Sequence, residues 1–230
     1  MQITSNPNSF KIGLWQESQE ALIKSFKLQP LVVVLRISKD DLDNLYIDHL
    51  VYLINKLNEF GIKHIELGWS SHKNWILFIK ELKNQITETN LGAASITNSK
   101  ALELITDLDF KYAMSPCWDK ELQKQAQVIG KVLIPGVFSP SEINQALNFG
   151  CRIIKLFPAS TLGLNYLEQI KPSLSTFPFI IAAGGLKVID IDRWLKKGFN
   201  TIALGRDLIK GHEIDPFLKI WLTENRKVNV

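Results

Sequence analysis

Short apolar runs rich in Val, Ile and Leu alternate along the chain with longer stretches in which apolar residues recur every three or four positions. The short runs, such as Leu31–Leu35, are apolar at every position, which is typical of strands buried on both faces of a parallel sheet. The longer stretches have the spacing of amphipathic helices. The pattern predicts strands at residues 31–37, 63–67, 90–94, 111–114, 131–134, 152–156, 178–182 and 200–204.

Helices are predicted between these strands, and glycines close several of them. Gly61, Gly130, Gly150 and Gly198 each stand shortly before a predicted strand, which is the position of a glycine at a helix C-terminus. The helices are predicted at residues 14–28, 41–60, 72–86, 98–107, 119–127, 139–149, 164–171, 187–197 and 214–224. Regular alternation of strand and helix indicates a parallel sheet.

We therefore predict an α/β fold, a single (β/α)8 TIM barrel with an extra N-terminal helix. An open doubly wound sheet is the alternative, but eight regular units favour closure, which removes both sheet edges. No Pro-rich or Ser-rich linker interrupts the series, so residues 1–230 are predicted to form one domain, with an extension and helix at 1–28 and the barrel at 31–225. The N-terminal helix is expected to cover the bottom of the barrel.

Composition narrows the range of partners. The 27 Lys and Arg residues against 23 Asp and Glu give a net charge of +4, which is too small to indicate nucleic-acid binding and is compatible with a small anionic substrate. The N-terminus is polar, unlike a signal peptide, and the apolar runs are too short to span a bilayer. With two cysteines in no metal-binding spacing, we predict a cytoplasmic protein with no nucleic-acid or membrane partner.

Lys155 is the first candidate for chemistry, because active sites of closed barrels lie at the carboxyl ends of the strands. Alternation along the sixth predicted strand sends Ile154 and Leu156 to one face and Lys155 to the other. If the first pair faces the helices, Lys155 points into the barrel, where burial lowers the pKa of its amine. A neutral amine can attack a ketone carbonyl. A lysine that reaches the rim or pairs with a carboxylate is the alternative.

Glu66 is the second candidate and shares one face of the second predicted strand with His64. A carboxylate inside a barrel needs a partner or a role. Schiff-base chemistry supplies a role, because every step moves a proton that one nearby carboxyl group can carry. A structural ion pair between Glu66 and Lys155 is the alternative.

The histidines have no spacing that indicates a metal site. His64 is expected to be a hydrogen-bonded core residue, although its position beside Glu66 leaves a metal site open. We predict no metal and no cofactor. The four histidines are His49, His64, His72 and His212.

Two glycine-containing turns indicate a phosphate-binding site. Gly184 and Gly185 follow the seventh predicted strand, and Gly205 and Arg206 follow the eighth, where barrels frequently bind phosphate. Glycines let backbone N–H groups approach phosphate oxygens, and Arg206 can add a charge-assisted hydrogen bond. A single Gly-Gly pair is usually only a tight turn, so the indication rests on both turns together.

Six segments resemble those of the 2-keto-3-deoxy-6-phosphogluconate (KDPG) and 4-hydroxy-2-oxoglutarate (KHG) aldolases. The resemblance extends from about Leu31 to Gly211 and is most specific in the K-x-FPA block at Lys155, spaced after IPG. The segments are IELGWSS at Glu66, LGAASI at Ser95, YAMSP ending at Pro116, LIPGV at Pro135, IKLFPAS at Lys155 and AAGG ending at Gly185.

This resemblance implies a metal-free (β/α)8 barrel in which Lys155 forms a Schiff base and Glu66 transfers protons. It implies that Ser95 contacts the substrate carboxylate, that the two glycine turns bind phosphate, and that the protein is a homotrimer. The remaining substrate-binding candidates are Pro116, Phe157, Gly184, Gly185, Gly205 and Arg206.

Two positions leave the substrate isomer open. Members acting on the gluconate isomer usually carry an arginine four residues after the glutamate, where this chain has Ser70, and Gly68–Trp69 replaces a more usual pair. Members acting on the galactonate isomer instead have an arginine late in the first strand, which is the place of Arg36. Its guanidinium is suited to a substrate carboxylate. The alternative is that Arg36 only tethers a loop or pairs with an acidic residue such as Asp40 or Asp41.

The resulting prediction is a class I aldolase that cleaves a 2-keto-3-deoxy-6-phospho sugar acid of the gluconate type to pyruvate and glyceraldehyde 3-phosphate, with 4-hydroxy-2-oxoglutarate as a further candidate substrate. The galactonate isomer is the first alternative. A phosphate-binding isomerase or epimerase, in which Lys155 acts only through its charge, is the second. A non-catalytic sensor, supported only by Ser70, is the third.

Overall fold

A computed structural model describes residues 7–86, 90–174, 176–210 and 213–226, so residues 1–6 and His212 lie outside the described ranges. The strands are β1 (Leu31–Leu35), β2 (His64–Gly68), β3 (Asn90–Ala94), β4 (Tyr112–Met114), β5 (Leu133–Ile134), β6 (Gly136–Val137), β7 (Ile153–Leu156), β8 (Phe179–Ala183), β9 (Thr201–Leu204), β10 (Ile209–Lys210) and β11 (Glu213–Ile214). The α-helices are α1 (Pro7–Leu28), α2 (Lys39–Asn44), α3 (Asp48–Glu59), α4 (Trp75–Gln85), α5 (Ser99–Asp107), α6 (Lys120–Val128), α7 (Pro140–Phe149), α8 (Ala159–Leu162), α9 (Tyr166–Ile170), α10 (Ile191–Lys196) and α11 (Pro216–Arg226).

Nine parallel strands form the main sheet in the order β5-β4-β3-β2-β1-β9-β8-β7-β6. The two end strands, β5 and β6, are consecutive in the chain and are separated only by Pro135. They are therefore two halves of one barrel strand, and the sheet closes on itself as the predicted (β/α)8 barrel. The short β10–β11 hairpin is antiparallel and separate.

Alternation along the strands divides the core into two parts. Ile65, Leu67, Ile154 and Leu156 belong to the cluster packed between the sheet and the helices. Ile153, next to Ile154, belongs instead to the cluster inside the barrel. The predicted orientation is therefore confirmed, and it directs the intervening side chains of β2 and β7 into the barrel.

Helix α1 covers the amino-terminal end of the barrel. The fully buried ring of Phe26 stacks at 6.1 Å, between ring centroids, on Phe179 inside the barrel. Polar side chains of α1 and the residue after it cap backbone groups that precede the strands: Gln19 accepts from the N–H of Arg152 at 2.8 Å, and Gln29 accepts from that of Lys63 at 2.6 Å. The opposite, carboxyl end of the barrel is left open for a site.

Most element boundaries lie within a few residues of the predicted ones, and the four glycines expected at helix C-termini all have positive φ. The prediction of one helix at 41–60 was wrong. Leu45 has a φ of 53° and ends α2 in the left-handed conformation, and α3 begins at Asp48. Leucine rarely adopts this conformation, so the sequence carries no signal for the break. The N-terminal helix also begins at Pro7 rather than at residue 14.

No helix in the described ranges is long and apolar enough to cross a membrane.

Candidate active site

A cavity of about 410 Å³ opens at the carboxyl ends of the barrel strands. Its size is in the range that binds small molecules. The ten site residues predicted from the sequence all line it: Arg36, Glu66, Ser95, Pro116, Lys155, Phe157, Gly184, Gly185, Gly205 and Arg206. They come from seven different strand ends, so the barrel brings together side chains that are far apart in the chain.

Two clefts of larger volume, about 670 and 640 Å³, lie elsewhere on the surface. They are lined by segments that precede strands, such as Ile62 and Lys63 before β2 and Cys151 and Arg152 before β7. They therefore lie at the amino end of the barrel, and none of the predicted site residues lines them. Because barrel chemistry takes place at the carboxyl end, the 410 Å³ cavity is the candidate active site.

Lys155 lies on the inner face of β7 and is 8% exposed. Its backbone N–H donates to the carbonyl of Pro135 at 2.9 Å, and its Nζ lies 5.2 Å from the centroid of the Phe157 ring. Burial lowers the pKa of Lys155 to about 8, opposed by the Glu66 carboxylate, which raises it, and assisted by Arg36. The amine is therefore far easier to deprotonate than an exposed lysine.

Glu66 lies on the inner face of β2 and is 2% exposed. Its Oε1 has no hydrogen-bond partner in the described part of the chain. Burial raises the pKa of Glu66 to about 7, and the charges of Lys155 and Arg36 act in the opposite direction. A carboxyl group with a pKa near neutrality can both give and accept a proton at physiological pH.

The predicted alternative of a structural Glu66–Lys155 ion pair is not supported. None of the ion pairs within 4.0 Å among the described residues joins these two groups. They nevertheless influence one another's pKa across the cavity. Two buried ionisable groups with shifted pKa values in one cavity are typical of an acid–base site.

Arg36 follows β1 and extends across the mouth of the barrel. Its Nη1 donates to Ser95 Oγ at 2.8 Å, which joins the two residues predicted to bind the substrate carboxylate. Gly68 leaves room for this side chain, because a Cβ there would lie 3.3 Å from both Cδ and Nη1 of Arg36. The unusual Gly68 noted in the sequence thus has a physical reason. Ser95 itself has a left-handed backbone, with φ of 67°.

The suggested pairing of Arg36 with Asp40 or Asp41 was wrong. Asp41 accepts from the backbone and hydroxyl of Ser38 in a capping box at α2, and Asp40 accepts from Asn44. Arg36 makes no ion pair with another described residue. Ser70 accepts a hydrogen bond from the N–H of His72 and does not line the cavity.

The two glycine turns form the other side of the cavity. Gly184 and Gly185 have φ of 95° and 72°, and the carbonyl of Gly184 accepts from the N–H of Ser160 at 3.1 Å. Gly205 precedes a short 3-10 turn at Arg206–Leu208. The turns offer backbone N–H groups and one guanidinium, a combination suited to a phosphate group.

Gly185→Ala is expected to weaken binding of phosphorylated ligands by about tenfold or more, because its Cβ would lie 2.2 Å from Ser160 Oγ and shift the turn. Gly130→Ala is the matched control: its φ of 71° is almost the same, but its Cβ would meet no atom within 4 Å. Both variants should lose about 1–2 kcal/mol of unfolding free energy from left-handed strain. Titration with inorganic phosphate should separate them, and equal phosphate affinity would contradict the assignment of this turn.

Sequence reasoning missed two polar residues of the barrel. Asp207 lines the cavity beside Arg206; its position in the turn after β9 was a signal that could have found it. Tyr112 lies buried inside the barrel, and burial, followed by the Glu66 carboxylate, raises its pKa well above the usual value.

The described residues contain no group of three or more His, Cys, Asp or Glu side chains suited to a metal ion. His64 is buried and its Nε2 lies 3.0 Å from Ser25 Oγ, as expected for a hydrogen-bonded core residue. Cys117 and Cys151 are free thiols.

Fold and site together define a (β/α)8-barrel enzyme whose polar side chains converge at the carboxyl ends of the strands. The chain belongs to the KDPG and KHG aldolase family, whose model matches residues 22–216.

Relatives named for both sugar-acid isomers are similar to this chain. A probable 2-dehydro-3-deoxy-6-phosphogalactonate aldolase of Rhizobium meliloti is 26% identical over 79% of this chain and 82% of that protein. A 2-dehydro-3-deoxy-phosphogluconate aldolase of Pseudoalteromonas atlantica is 27% identical over 72% and 71%. The crystal structure of a KDPG aldolase from Legionella pneumophila, with pyruvate captured as a covalent carbinolamine, is 19% identical, has a TM-score of 0.64 and covers 96% of each chain.

Proposed function

We propose that this protein is a class I aldolase that cleaves a 2-keto-3-deoxy-6-phospho sugar acid to pyruvate and glyceraldehyde 3-phosphate through a Schiff base on Lys155. The observation that carries the proposal is the pairing, in one cavity, of a buried lysine with a lowered pKa and a buried glutamate with a raised pKa. An isomerase in which Lys155 acts only through its charge has no need of a lysine that burial tends to neutralise.

In the proposed reaction, neutral Lys155 attacks the C2 carbonyl and forms a carbinolamine. Glu66 gives a proton to the carbinolamine hydroxyl, which leaves as water. The resulting iminium accepts the electron pair of the C3–C4 bond while Glu66 removes the proton of the C4 hydroxyl. Glyceraldehyde 3-phosphate leaves, and the remaining enamine takes a proton from Glu66 at C3. Water then hydrolyses the pyruvate imine and restores Lys155. The carbinolamine captured in the Legionella aldolase is an intermediate of this kind.

The two ends of the cavity are suited to the two anionic ends of such a substrate. In this proposal Arg36 and Ser95, which are joined by a hydrogen bond, bind the carboxylate beside C2. Gly184, Gly185 and Arg206, which line the same cavity, are proposed to bind the phosphate. We keep the gluconate isomer as the proposed substrate, and the galactonate isomer, favoured by Arg36 and by the Rhizobium relative, as the alternative.

The proposal is tested by offering both isomers and measuring pyruvate with lactate dehydrogenase and NADH. Release of pyruvate from one isomer or both supports the proposal, and the ratio of kcat/KM values identifies the substrate. If neither isomer releases pyruvate, the aldolase assignment fails. An epimerase would instead convert one isomer into another without pyruvate release.

Arg36→Lys is expected to raise the half-saturating concentration of pyruvate and of the full substrate alike, by roughly tenfold, because both carry the carboxylate and lysine lacks the planar fork. Arg206→Ala is the matched comparison and should weaken only phosphorylated ligands. The measurement is borohydride trapping at graded pyruvate concentrations, together with KM for the sugar acid. If Arg36→Lys left pyruvate trapping unchanged, the carboxylate site would have to consist of Ser95 and backbone donors.

A homotrimer, independence of metals and a cytoplasmic location stay predictions.

A further inference from the structure

Three inward-facing polar atoms on β2 and β4, the two strands that flank β3, have no hydrogen-bond partner among the described residues. They are Glu66 Oε1, His64 Nδ1 and the Tyr112 hydroxyl. Buried polar groups in native proteins are almost always hydrogen-bonded, and internal water molecules frequently supply the missing bonds, typically about three each.

Strand register places Glu66 and Tyr112 at one level of the barrel. Glu66 on β2 pairs with Gly92 on β3, and Gly92 pairs with Tyr112 on β4. A Cβ on Gly92 would lie 2.5 Å from Cζ of Tyr112, so the hydroxyl end of the ring covers the glycine. The missing side chain of Gly92 therefore lets the Tyr112 ring extend across β3 towards Glu66.

His64 lies next to Glu66 and Tyr112, on the side of the amino end of the barrel. It lies two residues before Glu66 on β2 and shares its inward face, and its ring centroid is 6.2 Å from that of Tyr112. Burial lowers the pKa of His64 to about 4, so its ring is neutral near pH 7. It can therefore supply a hydrogen bond but no charge to the Glu66 carboxylate.

We propose that Tyr112 is a positioning residue for Glu66, to which its hydroxyl is joined by one internal water molecule that also contacts His64. This inference rests on the proposed function, because it assigns Glu66 as the proton carrier. The water accepts from the Tyr112 hydroxyl and donates to Glu66 Oε1, which holds the carboxylate in one orientation and favours its charged form. The charged groups that also act on Glu66 are Lys155 from β7 and Arg36 from the segment after β1.

Tyr112→Phe in the full chain tests the proposal, because phenylalanine keeps the ring and removes only the hydroxyl. The assay is the exchange of pyruvate methyl protons with D₂O, followed by NMR across the pH range, which reports the proton transfer at C3 and needs no sugar substrate. We expect kcat for exchange to fall roughly tenfold with little change in KM. Loss of a donor to the carboxylate disfavours its charged form. The part of the pH–rate profile that reports ionisation of Glu66 should therefore move about one pH unit higher.

Thr201→Val is the matched control, since Thr201 is another fully buried residue whose hydroxyl has no partner among the described residues. Thr201 is the first residue of β9, at the amino end of the barrel, and does not line the cavity, so the exchange profile of Thr201→Val should coincide with that of the unmodified protein.

Thermal unfolding gives a second, independent readout. If the Tyr112 hydroxyl is bonded to water, its removal should lower Tm, whereas removal of an unbonded buried hydroxyl should raise it.

The inference is overturned if the pH profile of Tyr112→Phe coincides with that of the unmodified protein, or if its Tm rises. If the unmodified protein neither exchanges the methyl protons of pyruvate nor is trapped by borohydride, the proposed function is wrong, and this inference fails with it.

Discussion

Replacing Lys155 by alanine is expected to abolish pyruvate release, with a loss in kcat on the order of 10⁴-fold or more, the scale seen when a nucleophile is removed. Covalent trapping of pyruvate by borohydride should disappear at the same time, because no other lysine among the described residues lines the cavity. The fold should survive, and Tm should stay the same or rise, since a buried ammonium group is costly to desolvate.

Lys131→Ala is the matched control for this prediction. Burial also lowers the pKa of Lys131, but its Nζ donates to the carbonyl of Phe110 and does not line the cavity. Lys131→Ala should keep normal turnover and trapping. The comparison would show that a lowered lysine pKa is not sufficient and that the lysine must also lie in the cavity. Near-normal turnover in Lys155→Ala would rule out the Schiff-base mechanism.

Replacing Glu66 by glutamine is expected to lower kcat by roughly 10²–10⁴-fold, the usual contribution of a positioned acid–base group. Glutamine keeps the size of the side chain but can neither give nor accept the proton. Glu142→Gln provides a control: Glu142 accepts from Ser139 in the capping box of α7, so this variant should lose stability and keep its turnover.

The pH dependence of Glu66→Gln tests the electrostatic effect of the Glu66 carboxylate on Lys155. The Glu66 carboxylate raises the pKa of Lys155, so its removal should lower that pKa further below about 8. The part of the variant's pH–rate profile that reports deprotonation of Lys155 should therefore move to lower pH. A rate close to normal would show that another group carries the protons, and a profile displaced to higher pH would show that the Glu66 carboxylate does not raise the pKa of Lys155.

Much of the fold and the centre of the site could be predicted because they depend on local periodicity and on one rule of barrels. Alternation along β2 and β7 fixes the faces of Glu66 and Lys155, and parallel strands bring their carboxyl ends together. Both side chains therefore converge although they are far apart in the chain, and the predicted site residues line one cavity.

The features that could not be predicted depend on contacts between distant segments. The left-handed Leu45 that separates α2 from α3 has no local signal. Gly136 leaves room for the backbone of Pro116, from which its Cβ would lie 2.3 Å. The position of Tyr112 over Gly92 likewise follows from strand register and ring orientation, which residue types alone do not specify.

The most direct test of the central claim is peptide mass mapping after incubation with pyruvate and borohydride. Reduction of the imine leaves a carboxyethyl group on the lysine that formed it. A single carboxyethyl group on Lys155, absent when pyruvate is omitted and absent in Lys155→Ala, is the predicted result. A chain that stays unlabelled, or that carries the group on another lysine while Lys155 stays unmodified, would contradict the mechanism.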